Sequence, residues 1–268
     1  VTGAVALRAL RDLRRGFAWW SLGLVGMVAM MVAVYPTVRD QPGFADLADR
    51  YPDALKELFG IGGRDFDFTS GAGYLGAELF SLMVPLLLII AAVAAGAGGV
   101  AGEEDRGTLE LLLSLPVTRR RVVLEKAVAM AVEAVGLGLV LWVALWIGAT
   151  LVDMDVPAAN LGAATAGAVL LAIGYGAVAL LVGAAVGRRG RAVGVTAALA
   201  AAAYLIDSLA GLVEALEPLR PFTPFWHYRA PDALREGFSG WHTLVLALIP
   251  VVATAAAMWA VDRRDLGS

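Results

Sequence analysis

The stretch Gly102–Lys126, GEEDRGTLELLLSLPVTRRRVVLEK, lies between two long apolar runs, so a membrane holds both of its ends. Its middle, Thr108–Leu115, reads as a short helix. Thr108 suits an N-cap, Glu110 suits the positive first turn, and Pro116 pushes Leu115 out of the helical region. At about 100° per residue, Leu109, Leu112 and Leu113 share one face while Leu111 and Leu115 point to the opposite one. A helix of about two turns does not hold itself together in water. One that is apolar on two sides must be gripped on two sides; the alternative is a loop lying on the lipid. Glu103, Glu104 and Asp105 follow the C-terminal end of the preceding apolar helix, where the helix dipole disfavours negative charge, and they face a leaflet that is itself negative. A cluster placed at such a cost serves a basic partner or an internal clamp. Arg106 and Arg119–Arg121 are the nearby cations.

The rest of the chain is consistent with a membrane on either side of that stretch. Of 268 residues, 59% are hydrophobic and only 17% charged, a membrane-protein composition. Mean hydropathy is +0.75. The sequence has no cysteine, which excludes disulfides and thiolate metal sites, and its net charge of -3 makes no case for nucleic acid. Lys56 and Lys126 follow Leu55 and Glu125 rather than glycine, so a phosphate-binding G-x-x-x-x-G-K-[ST] loop is absent. Hydrolysis of ATP by that route is excluded.

Read in order, the chain predicts an all-α integral membrane protein with six transmembrane helices, forming one transmembrane domain over 1–268. Residues 1–16 lack the pattern of a cleavable signal peptide. Leu7, Leu10, Leu13 and Phe17 fall on one helical face and Arg8, Arg11 and Arg15 on another, which predicts an amphipathic helix in the membrane surface; the plainer reading is a positive flank that sets topology. The first span is 17–35, with Trp19 and Trp20 at one interface and Tyr35 at the other. An acidic outer loop follows over 36–77, with short helical patterns around Phe44–Arg50 and Pro52–Phe59. The second span is 78–101, where Pro85 suggests a kink and Gly98 and Gly102 suggest close helix packing. The intervening segment is 102–118. Thr118 then caps a helix over 119–151, on the order of 45–50 Å long against a ~30 Å hydrocarbon core, so its first turns protrude.

The remaining spans are 161–186, 192–213 and 242–261, with an aromatic, proline-rich outer hairpin over 214–241. Two intramembrane acids stand out as candidate pathway or structural residues. Glu133 falls near the inner boundary and reads best as a structural ion pair or snorkelled carboxylate. Asp207 either lines a path or bonds to polar neighbours. His227 and His242 have no obvious third ligand, so no metal is expected. Sorting all basic residues by this topology places 14 on the side of the termini and seven on the other. That asymmetry predicts a multi-pass protein of the plasma (cytoplasmic) membrane with both termini in the cytoplasm.

Gly102, Glu103, Glu104, Gly107, Thr108, Leu109, Glu110, Leu112, Leu113, Ser114, Pro116, Val117 and Arg119, followed by Lys126, resemble the cytoplasmic segment of the ABC transporter type-2 permease family. Elsewhere the resemblance is one of layout: an elbow helix at 1–16 and re-entrant outer helices at 214–241. It implies that the segment between spans 2 and 3 is a coupling helix, seated in a groove of a separate cytoplasmic ABC ATPase subunit. The implied ATPase-coupling residues are Glu103, Glu104, Gly107, Thr108, Leu109, Glu110, Leu111, Leu112, Leu113, Leu115, Pro116 and Arg119. It also implies a second permease chain, identical or not, and an exporter set in membrane lipid. No cofactor is expected on this chain, with ATP and Mg on the partner, and this chain is not itself an enzyme. A rival reading is an ion- or proton-coupled secondary transporter using Glu133 and Asp207, which leaves the two-sided helix unexplained. An intramembrane serine protease is disfavoured because both histidines fall at the outer interface.

Overall fold

The computed structural model describes residues 3–40, 68–108 and 117–263. Among these every regular element is helical, and six stretches are long and apolar enough to cross a membrane: Val5–Arg39, Gly71–Gly99, Arg119–Leu151, Ala158–Val186, Arg189–Leu209 and Gly240–Arg263. The chain is an all-α multi-pass membrane protein. Its helices are α1 (Ala4–Arg39), α2 (Gly71–Leu75), a π turn (Gly76–Phe80), α3 (Met83–Gly99), α4 (Ala101–Asp105), α5 (Arg119–Leu151), α6 (Ala158–Val186), α7 (Arg189–Leu209), a 3-10 helix (Glu214–Phe222), α8 (Pro224–Arg229), α9 (Ala233–Glu236) and α10 (Gly240–Arg263). Six crossings bring the chain back to the side where it began, so both termini share one end of the bundle. The start of α2, the start of α6 and residues 210–239 form the other.

The helix ends follow local chemistry. Residues 4–16, expected as a separate elbow helix, are the first turns of α1, which runs unbroken past Tyr35 and through Pro36 to Arg39. Its N-terminus is tied down by the Glu125 carboxylate, which accepts from the backbone N–H groups of Gly3 (3.2 Å) and Ala6 (3.0 Å). That cap gives the free N–H groups of the first turn their partner. Ser70 caps α2 by accepting from Gly73 N, so the second crossing starts at Gly71, inside the stretch expected as outer loop. Thr118 caps α5, which spans Arg119–Leu151. Gly187, with φ 71°, ends α6 in the left-handed conformation that glycine adopts without strain, and α7 begins two residues later. Arg189 and Arg191, which fall between the expected fourth and fifth spans, are thereby helical. The patterns expected within 41–67 and, of the helix expected over Thr108–Leu115, all but Thr108 lie outside the described residues.

α6 is the centre of the bundle. Of its most apolar window 67% is buried, against 11% for α1, which packs mainly along α5 at the periphery. The sequence reason is the glycine and alanine content of α6, which lets α3, α5, α7 and α10 all approach it. The closest approach is between Gly96 of α3 and Gly176 of α6: a Cβ built on Gly96 would stand 2.1 Å from the Gly176 carbonyl oxygen. Gly98, expected at such a contact together with Gly102, faces open space, and Gly102 has nothing nearer than 3.8 Å. The helical rotation puts Gly96, not Gly98, on the face towards α6.

Candidate functional site

The polar groups of the bundle gather at its two ends. At the end carrying the termini, α4 closes with Gly107 at φ 67°. Gly107 N–H donates to Glu104 O and Thr108 N–H to Glu103 O, both at 2.9 Å. That pair of bonds is a Schellman ending, which needs glycine at the left-handed position. Thr108, expected as an N-cap, instead turns its hydroxyl back onto the Glu103 carboxylate. Glu103 is 5% exposed and also receives Lys126 Nζ at 2.7 Å, with Arg106 at 3.5 Å. Burial works to raise the carboxyl's pKa, but hydrogen bonds from Lys126 and Thr108 outweigh it and hold the group below the usual carboxylate range. Asp105 accepts from the backbone N–H of Arg189 at 3.0 Å, capping α7.

The acidic cluster is therefore an internal clamp. Arg106 is a member, as expected, but the main cation is Lys126, which spacing alone had not paired with Glu103. Arg119–Arg121 serve other contacts. Arg119 donates to Val261 O at 3.5 Å, Arg120 pairs with Asp262, and Arg121 pairs with Glu125 at 2.9 Å. The two stubs that carry the 109–116 segment are thus fastened to α5, α7 and α10. Of the implied coupling residues, Glu103, Glu104, Gly107, Thr108 and Arg119 fall together here. Leu109, Glu110, Leu111, Leu112, Leu113, Leu115 and Pro116 lie outside the described residues.

At the opposite end a proline organises the site. Pro85 lacks the N–H that would bond Ser81 O, and the second crossing breaks at Leu82 rather than kinking further in. The carbonyls freed there find side chains from α8: Tyr228 Oη donates to Phe80 O at 2.8 Å and Arg229 Nη2 to Ser81 O at 3.0 Å. Arg229 Nη1 also donates to Asp207 Oδ2 and Ser208 Oγ, each at 3.1 Å, and its guanidinium lies 4.9 Å from the Tyr204 ring centre. Asp207, on α7, has a fully buried side chain and takes a second cation, Arg220, at 3.2 Å. Its polar neighbours Tyr204 and Ser208 join this network through Arg229, and the two arginines that hold Asp207 come from a hairpin whose sequence signal was aromatic.

His227 and His242 touch through their Nδ1 atoms at 3.2 Å, and His227 Nε2 lies 3.0 Å from Pro221 O. A carbonyl only accepts, so His227 carries its proton on Nε2 and His242 donates from Nδ1. Burial and then the neighbouring His242 pull His227 below its usual pKa. Among the described residues no three metal-ligating side chains converge. Glu133, midway along α5, is 7% exposed, with α1 passing at Gly16, where an added Cβ would sit 4.0 Å from its Oε1. The ion pair expected for it is not formed among the described residues. Glu133 and Asp207 do not share a site: they lie in separate parts of the bundle.

Six apolar crossings with ion pairs at both ends define a polytopic helical membrane protein. Residues 3–266 match the family described as ABC-2 family transporter protein, and the chain belongs to that family of ABC transporter permeases. No curated protein matches it in sequence.

Proposed function

We propose that the chain is the membrane-spanning subunit of an ATP-driven exporter, working with a separate cytoplasmic ABC ATPase and a second permease chain. The observation that carries this reading is the fastening of both stubs around residues 109–116. Glu103–Lys126 ties α4 to α5, Asp105 ties α4 to α7, and Arg119 and Arg120 tie α5 to α10. A push on the segment is then delivered to four crossings at once, as ATP-driven closure of an attached ATPase requires. ATP and Mg belong to that partner. A carrier driven by an ion gradient through Glu133 and Asp207 has less support: Asp207 is already held by two arginines, and Glu133 lies away from it.

The test uses the two leucine faces. Leu109→Ala with Leu112→Ala is expected to impair one function, ATPase binding or folding, and Leu111→Ala with Leu115→Ala the other. Truncating a leucine in a desolvated groove costs about 2–5 kcal/mol, enough to lower association by tens- to thousandsfold. Co-purification with the candidate ATPase and its substrate-stimulated hydrolysis are the readouts. Parental behaviour of both double variants would remove the coupling role.

In the proposed orientation the termini and the Glu103 clamp are cytoplasmic, because 14 of the 21 basic residues then lie inside. A protease tag at either terminus should be protected in intact cells and one inserted at Gly63 cleaved. A protected Gly63 tag would reverse the orientation.

A further inference from the structure

At the end of the bundle away from the termini, a cavity of about 500 Å³ opens between the start of α6, the π turn, α9 and the start of α10, and Asp207, Arg220, Arg229, His227 and His242 line it. Its charge does not balance. One carboxylate, Asp207, serves two guanidiniums, Arg220 through Nε and Arg229 through Nη1. Asp232 faces its own local partner Arg235 at 3.8 Å, so it does not offset the surplus. Arg220 spends only Nε on Asp207 and keeps both terminal nitrogens without a partner among the described residues, with 38% of its side chain exposed. Arg229 Nε is buried and makes no hydrogen bond, so Arg229 adds unbalanced positive charge rather than a donor open to the cavity.

The remaining polar lining adds no further anion. Ser239 and Thr243 contribute hydroxyls that can donate, and the histidine pair is neutral, its N–H groups spent on each other and on Pro221 O. Phe238 also lines the cavity and is 67% exposed, and Trp241, three residues on, is 66% exposed. Exposed aromatic rings of this kind sit at the level of lipid headgroups.

From this surplus positive charge, the unspent guanidinium nitrogens and the roomy cavity, we infer that this end of the chain is a binding site for a phosphate-type oxyanion. Guanidinium groups match the oxygens of a phosphate with parallel, charge-assisted hydrogen bonds, and a partly closed cavity strengthens them. The aromatic rim suits a phosphate carried on a lipid, while the cavity also admits a free one. The site goes beyond the coupling reading and does not depend on it, since binding here requires no ATPase.

The full chain, in nanodiscs of phosphatidylcholine, is titrated calorimetrically with inorganic phosphate and, separately, with short-chain phosphatidic acid. Short-chain phosphatidylcholine serves as the control whose phosphate is masked. Saturable binding of phosphatidic acid, phosphate or both is expected, weakened about ten- to a hundredfold by Arg220→Gln and retained by Arg220→Lys. Tighter binding of phosphatidic acid identifies a lipid source, and equal binding a free anion. Ala163→Phe, which fills the cavity from α6 and removes no charged group, is expected to abolish binding, and it decides the matter where Arg220→Gln lowers folded yield. No saturable binding of either probe overturns the site. So does binding that both Arg220→Gln and Ala163→Phe leave unchanged.

Discussion

Asp207→Asn is expected to be among the most damaging single substitutions in the chain, lowering folded yield and thermal stability more than any change to either of its partners. The asparagine keeps the shape but leaves two guanidiniums facing each other with no anion between them. Breaking a buried pair by removing one partner costs about 3–5 kcal/mol, because the remaining charge is left uncompensated. Here one partner, Arg229, is only 17% exposed and also holds the Ser81 carbonyl, so it has little freedom to retreat to water. Arg220 is 38% exposed and can retreat. The expected order of damage is therefore Asp207→Asn, then Arg229→Gln, then Arg220→Gln, read as melting temperature in detergent. A Asp207→Asn variant as stable as the parent would show that the network contributes nothing to folding.

The second large effect is expected at Gly96. Alanine there would place a Cβ 2.1 Å from the Gly176 carbonyl oxygen, and the obstacle is backbone, not the end of a flexible side chain. α3 and α6 would have to part. Inserting extra bulk into a packed core typically costs 1–3 kcal/mol, and a rigid obstacle places this site at or above the top of that range. Gly98→Ala is the matched control: nothing stands within 4 Å of its added Cβ, and alanine favours the helix by about 0.8–1.0 kcal/mol. Comparable melting temperatures for the two variants would mean that the α3–α6 approach is looser than it stands.

Much of this fold was legible because a bilayer demands long apolar helices, and the six runs announce themselves by length and hydropathy. Caps were legible too: Thr118 starts α5 because its hydroxyl accepts from Arg121 N, a bond between near neighbours. Proline misled the reading at one end of α1, where Pro36 stays within the helix, and Gly71–Ala77 read as a loop although Ser70 caps it. Glycine spacing pointed to the wrong residue in α3, since a seam depends on which face the partner helix meets. The candidate sites were legible only by half. Gly107 and Glu103 stand out at one end of the stretch, but the Lys126 that completes their clamp stands at its other end, 23 residues from Glu103. Arg220 and Arg229 reach Asp207 from beyond the end of its helix. No periodicity encodes such pairs, because a side chain's partner across the bundle is chosen by packing.

The Gly96–Gly176 contact also bears on movement. Helices separated by side chains can slide, because rotamers change and the gap refills. Two backbones in touch leave no side chain between them to rearrange, so α3 and α6 are expected to travel together. α1 is attached differently, lying along α5 with most of its surface free of the bundle. A displacement entering through α4 would then be carried by the core pair together, while α1, tied to α5 through Glu125, would follow α5.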